Sequence, residues 1–290
     1  MVRLVVKKGD QPQFLLETPA ATKIKSLIEN VCEIYNFRLK VFRIADQLSE
    51  LADHGVSLPP NMQGLTDEQI EELKLVDEWG QKCIPSGGCI ENKDTLGRRN
   101  GKAPNEKMTE VLTKTAATAK ELISKTLIEQ GKALTKELVN EAFMMLSGAV
   151  TIVYPMGLPP YDPIQMEFRN EEDLSGTHAG TEVIPFEEGT LWFSGKELLP
   201  GRLLSDYVGK NEKTKIIVKV QKKGSGAPAR EAVISEADQK AMMAFYYRRQ
   251  EELKKLEEND DDSYLNSVWS EPGQLKRQFH GLGDIKWGPR

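Results

Sequence analysis

The chain has 290 residues, 39% of them hydrophobic, and 39 Lys and Arg against 44 Asp and Glu give a net charge of −5. Such a length predicts a sizeable core in two domains with accessory segments, and the slightly acidic balance argues against a nucleic-acid-binding surface spread over the whole protein. No apolar run approaches the roughly 20 residues that span a bilayer, and MVRLVVKKGD lacks the apolar core and cleavage site of a signal peptide, so a cytoplasmic protein without membrane insertion is expected.

Val2, Leu4 and Val6 alternate against Arg3, Val5 and Lys7, Gly9-Asp10 offers a turn, and residues 13–17 read as the second strand of a hairpin. Pro19 closes that strand, and Ile24, Leu27, Ile28, Val31 and Tyr35 recur on one helical face. A separate helix is expected over 41–53, with Val41, Ile44, Ala45, Leu48, Leu51 and Ala52 inward and Gly55 as its stop. Leu58-Pro59-Pro60-Asn61 breaks the pattern, and Thr66 with Gln69 three residues on opens a short acidic helix. Residues 80–107 hold turn chemistry without periodicity and read as loop. Glu106 to Gln130 then reads as one helix with Met108, Val111, Leu112, Ala116, Ala119, Leu122 and Ile123 in a stripe, and Thr135 to Leu146 as its hairpin partner, stopped by Gly148.

Ala149-Val150-Thr151-Ile152-Val153-Tyr154 reads as a buried strand and residues 165–168 as another. Leu191-Trp192-Phe193 is an aromatic-rich strand seed, Ser194-Gly195-Lys196 a tight turn, Pro200-Gly201 a second turn, and Leu204-Ser205-Asp206-Tyr207 one helical turn with a buried tyrosine. In residues 214–221, Thr214, Ile216, Val218 and Val220 face one way while Lys215, Ile217, Lys219 and Gln221 face the other. This order resembles the C-terminal half of ubiquitin, and Leu191, Phe193, Gly195, Lys196, Leu198, Gly201, Arg202, Leu204, Ser205, Asp206 and Tyr207 carry the resemblance. The opening hairpin and helix resemble the start of the same β-grasp. Where ubiquitin ends in paired glycines this chain continues through Gly224-Ser225-Gly226, so conjugation is not expected.

The expected fold class is therefore α+β: ubiquitin-like β-grasp units, a central helical hairpin, and a long C-terminal helix with a tail. The expected divisions are 1–79, a β-grasp-like hairpin with helices; 80–105, a loop linker; 106–148, the helical hairpin; 149–223, a ubiquitin-like domain; and 224–290, a linker, charged helix and aromatic tail. Two β-grasp-like units is the preferred count. A single split unit, in which residues 1–36 supply the hairpin and helix, stays open.

Constellations for chemistry are scarce. Cys32, Cys83 and Cys89 lack the companions of a zinc site, and His54, His178 and His280 fall in no catalytic or metal spacing. Val208-Gly209-Lys210-Asn211 lacks the upstream glycine and following hydroxyl of a phosphate-binding loop. No catalytic residue, metal or cofactor is expected. Recognition surfaces are better marked. Trp192 and Ile217 point outward from their strands, Trp192 where ubiquitin carries an apolar contact residue, so Trp192 either meets a partner or packs under the C-terminal helix or linker of its own chain. Lys219 stands where a second apolar contact is expected, which disfavours ubiquitin's own receptors. Ala237, Ala241, Met242, Phe245, Leu253 and Leu256 give the C-terminal helix, Glu236 to about Glu258, a partly apolar face. In the tail Tyr264, Trp269, Phe279 and Trp287 read as partner anchors in preference to groups packing back on the body.

Several stretches are more particular than any fold requires: LPPNMQGLTDEQIEELKL, GRRNGKAPNEKM, IVYPMGLPPYDPI, LSDYVGKNEKTKII and RRQEELKKLEENDDDSYLNS. Together they resemble the Kurly family of cilia- and flagella-associated proteins over essentially the whole chain. The resemblance implies a non-enzymatic factor for motile cilia that acts in the cytoplasm on the assembly of axonemal dynein arms, placed near basal bodies and linked to planar cell polarity. Its implied partners are other dynein assembly factors, chaperones or dynein chains. A structural component of the axoneme or basal body, and a ubiquitin-like adaptor of the ubiquitin pathway, are the alternatives.

Overall fold

Alternating strands at both ends of the first 230 residues meet in one mixed sheet, which determines the architecture. The structure is a computed structural model and describes residues 1–229 and 236–257. The chain divides after residue 230 into two units, each described by itself.

In the first unit, β1 (Val2–Lys8) and β2 (Gln11–Thr18) form the opening hairpin, turned at Gly9 with φ +59°. The other strands of this sheet are β5 (Gly189–Phe193), β6 (Lys196–Glu197) and β7 (Lys215–Lys222), while β3 (Cys89–Glu91) and β4 (Lys102–Pro104) form a separate ribbon. The five strands lie in the order β2-β1-β7-β5-β6, antiparallel except that β7 runs parallel to β1, with Leu4 opposite Ile216 and Val6 opposite Val218. Ser194 and Gly195, both at positive φ, close the β5–β6 turn in the conformation that matches strand twist. Val2, Leu4, Val6, Phe14, Leu16, Leu191, Ile216, Val218 and Val220 alternate onto one face and are buried.

That face joins a single core with α1 (Ile24–His54). At 31 residues α1 is about 46 Å long, more than the sheet can cover. Its second half, through Val41, Ile44, Ala45, Leu48, Leu51 and Ala52, packs with α4 (Glu106–Leu122) and α6 (Lys136–Val153) in the same core. Between α1 and α4 lie α2 (Asp67–Glu72), α3 (Glu78–Lys82), β3 (Cys89–Glu91) and β4 (Lys102–Pro104). The remaining short helices are α5 (Thr126–Glu129), α7 (Pro163–Arg169), α8 (His178–Glu182) and α9 (Ser205–Val208). The second unit contributes α10 (Glu236–Glu257).

The α+β class holds, and several readings are corrected. The expected break between helices at 35 and 41 does not exist. Arg38 occupies the apolar stripe there and is buried, donating from Nε to the Ile123 carbonyl at 2.8 Å and from Nη1 to Gln13 Oε1 at 3.0 Å, with its guanidinium over the Phe42 ring. Burial lowers its pKa to about 10. The expected strand at 149–154 is the end of α6: Val139, Ala142, Leu146, Ala149, Val150 and Val153 form one continuous helical stripe, and Gly148 lies within the helix on its exposed side. A run of β-branched residues gave the strand pattern; the longer period prevails because it places Val150 and Val153 in the core shared with α1 and α4 and leaves Thr151 and Ile152 exposed. The expected strand at 165–168 is α7, whose start is set by Pro163 in the first turn and Asp162 accepting from the Ile164 amide. With neither strand present, the strands from the two ends lie in one five-stranded sheet and not in two, and the boundary drawn at 149 falls inside a helix.

Nor are residues 80–105 a loop linker. They hold the end of α3 and the β3–β4 ribbon, and they are bonded to the end of α1: Asn100 and Gly101 amides donate to Val56 and His54 carbonyls, and Arg99 Nη1 donates to Gly55 O at 2.8 Å. The long helix expected to Gln130 stops at Leu122 and resumes as α5. Tyr207 is half-buried, its hydroxyl accepting from the Leu199 amide. The Thr66–Gln69 capping box forms as its spacing predicts.

Candidate interaction surface

The outer face of the sheet is built by the residues that alternate away from the core: Arg3, Val5 and Lys7 on β1, Ile217 and Lys219 on β7, and Trp192 on β5 opposite Lys219. Ile217 is 41% exposed. Trp192 is half-buried, and its indole Nε1 is shielded from water and has no hydrogen-bond partner among the described residues. Lys219 is buried, with Nζ donating to Asp10 Oδ1 at 3.0 Å and to the Ala229 carbonyl at 2.9 Å, while Gln221 Nε2 donates to the Gly226 carbonyl. The segment after β7 thus folds back over this face and engages Lys219, so the face is partly occupied by its own chain. Of the two sheet residues proposed from sequence, Ile217 is open and Trp192 is partly covered. Tyr264, Trp269, Phe279 and Trp287 lie outside the described residues.

α10 is a different surface. Every side chain described along it is exposed. Met242, Met243, Phe245, Tyr246, Tyr247 and Leu253 all stand in water, with Phe245 and Tyr246 rings edge to face at 6.1 Å. Contiguous apolar area of this kind marks interaction sites on soluble domains. The sequence pattern identified Met242, Phe245 and Leu253 as docking positions and missed Met243, Tyr246 and Tyr247, because it looked for one stripe. The available signal was the uninterrupted non-polar run 241–247 within a helix.

Buried polar groups cluster elsewhere, where α1 receives the segments that follow α6. Arg43 Nε pairs with Glu167 Oε1 at 2.9 Å, and Lys40 Nζ bonds Glu172 Oε1 and Asn170 Oδ1, each at 2.8 Å. Burial pushes the Glu167 carboxyl above its ordinary value, against the pull of Arg43. Asp162, fully buried, accepts from the Ser57 and Ile164 amides at 3.0 Å each and lies 3.8 Å from Arg99 Nη1. Its carboxyl too is raised by burial and drawn down by Arg99. These pairs join α1 to later segments, and their geometry is that of fastening. His54 meets the Asn92 carbonyl and His178 begins α8.

The cysteines give a direct test of this burial. Cys32 and Cys83 are buried, Cys89 is exposed, and burial raises the Cys32 thiol to about 11. Iodoacetamide near pH 8 is therefore expected to modify Cys89 alone in the folded chain and all three cysteines after unfolding, read by peptide mass. Rapid modification of Cys32 in the native chain would contradict the packing of α1 on the sheet.

Among the described residues no helix is long and apolar enough to cross a membrane. The family described as cilia- and flagella-associated protein 298 matches residues 189–285. The chain is 62% identical over 290 residues to cilia- and flagella-associated protein 298 of Homo sapiens, with all of both chains covered. It is likewise 62% identical over 290 residues to the Danio rerio protein of that name, again covering both chains fully. The Drosophila melanogaster protein of the same name is 51% identical over 287 residues, 99% of each chain. No solved structure matches the chain.

Proposed function

The chain belongs to the cilia- and flagella-associated protein 298 family, and we propose that it serves cilia as a non-enzymatic cytoplasmic adaptor in the assembly of axonemal dynein arms. The observation that carries the adaptor reading is α10, a 22-residue helix whose described side chains are all exposed and include five Met and aromatic residues between 242 and 247. A helix of this composition is stabilised by what it binds. Its partners are other assembly factors, chaperones or dynein chains, handled transiently near the basal body; a role in cilium positioning and planar cell polarity follows from the same placement. In this reading the five-stranded sheet, with β1 beside β7 and α1 across one face, is a single ubiquitin-type β-grasp interrupted by residues 55–188. Burial of Lys219 against Asp10 and the Ala229 carbonyl leaves little of a ubiquitin-like contact patch and weighs against a ubiquitin-pathway adaptor.

In ciliated cells lacking the protein, axonemal dynein heavy chains are expected to remain in the cytosol and be missing from isolated axonemes, and the full chain restores them. The protein itself fractionates with cytosol. Normal dynein content in mutant axonemes overturns the reading, and recovery of the protein in salt-washed axonemes favours a structural component instead.

A further inference from the structure

Between Lys240 and Arg248, α10 carries seven successive non-polar residues, Ala241-Met242-Met243-Ala244-Phe245-Tyr246-Tyr247. At about 100° per residue these occupy nearly two turns, so their side chains point to every side of the helix. Met242, Phe245 and Tyr246 share one side; Met243 and Tyr247 occupy another. The five large ones are 48%, 75%, 62%, 60% and 67% exposed for Met242, Met243, Phe245, Tyr246 and Tyr247. A flat surface or a membrane interface covers one side of a helix and leaves the other in water. Here the other side is equally apolar, and helices apolar all round are enclosed when they work.

Resting on the adaptor reading above, we propose that residues 242–247 are a plug that enters an enclosing apolar cleft of a partner protein whose rim is acidic. The rim chemistry follows from charge. Arg248 and Arg249 directly follow the band, a basic collar at its C-terminal mouth, and Lys240 directly precedes it with Asp238 and Glu236 in the turn before. Met242 and Met243 adapt to irregular walls, and the Tyr246 and Tyr247 hydroxyls reach polar groups near the rim. Beyond the collar Glu251, Glu252, Lys254 and Lys255 alternate in sign and remain solvated. A second copy of the helix is the poorer occupant: a seam continued from Met242 by seven residues brings Arg249 to its centre, where two copies would oppose like charges.

The test uses the full chain with a photo-cross-linking phenylalanine derivative placed in turn at positions 243 and 245, about 200° apart around the helix, in ciliated cells. Cross-linked peptides are sequenced. Both positions are expected to reach the same protein, on apolar segments with Asp or Glu nearby, and the double substitution Arg248→Glu, Arg249→Glu is expected to cut the yield about tenfold or more. Cross-links from one position only, or to this chain's own residues, a second copy or lipid, overturn the plug. Sedimentation of the purified chain should show a monomer, and a dimer dissolved by Met243→Glu also overturns it. All these positions are exposed, so an unchanged thermal transition confirms that each variant folds. The two readings fail separately. A Met243→Glu, Tyr247→Glu chain that restores dynein arms sinks the plug and spares the adaptor, whereas mutant cells with normal arms sink the adaptor while paired cross-links to an acidic-rimmed cleft still establish the plug.

Discussion

An Asp162→Ala chain is expected to lose about 4 kcal/mol of stability, since removing one member of a buried ion pair costs about 3–5 kcal/mol. The fully buried carboxylate accepts from two backbone amides, Ser57 and Ile164, and faces Arg99, itself buried. Alanine leaves both amides unpaired and the guanidinium without its counter-charge. The same side chain caps α7, so the loss also frees the start of that helix. In thermal unfolding followed by circular dichroism, this corresponds to a fall in midpoint of roughly 10 °C for a unit of this size. A midpoint within about 2 °C of the parent chain would mean that Asp162 is not the fastening seen here. A paired substitution, Asp162→Ala with Arg99→Met, should recover part of the loss, because an apolar pair leaves no buried charge uncompensated.

Gly55→Ala should cost about 3 kcal/mol or more, by backbone strain and overpacking together. Gly55 ends α1 at φ +77° and ψ −160°, a conformation that is essentially restricted to glycine. A Cβ there would stand 2.2 Å from the Lys102 carbonyl oxygen, a backbone atom of β4 that cannot turn aside. Its own carbonyl accepts from Arg99, so displacing Gly55 also loosens the Arg99–Asp162 contact. The two substitutions should therefore be less than additive, which urea unfolding of the double variant measures. A Gly55→Ala chain of parental stability would show that the ribbon does not press on this turn. Both losses act on the first unit, and in cells they lower abundance without altering α10. They thus provide a control against which failed partner binding by the plug variants can be judged.

The elements recovered from sequence are those whose signals are local. The β1–β2 hairpin, the Ser194-Gly195 turn, the Thr66–Gln69 box and the alternation of β7 each rest on residues a few positions apart. Arg38 shows why α1 read as two helices: a charged residue in an apolar stripe looks like an end until the Ile123 carbonyl and Gln13 are found beside it. Pro163 and Asp162 carried a legible helix start, and a short apolar run after them outweighed it. On the surface, alternation alone pointed Trp192 and Ile217 outward, yet could not show that residues 226 and 229 return to bond Gln221 and Lys219.

From its residues alone this chain determines an α+β fold, the strand and turn chemistry at both ends of its first unit, and a solvent-facing helix with an unbroken apolar band. The tertiary structure alone decides that β1 and β7 lie side by side, making one sheet from the two ends, and that Lys219 is buried against Asp10, 209 positions away. Parallel pairing requires a long crossover, and nothing in the local sequence of either strand specifies which distant strand satisfies its hydrogen bonds. That choice is made by α1, which can bury the apolar faces of both only when they share a sheet.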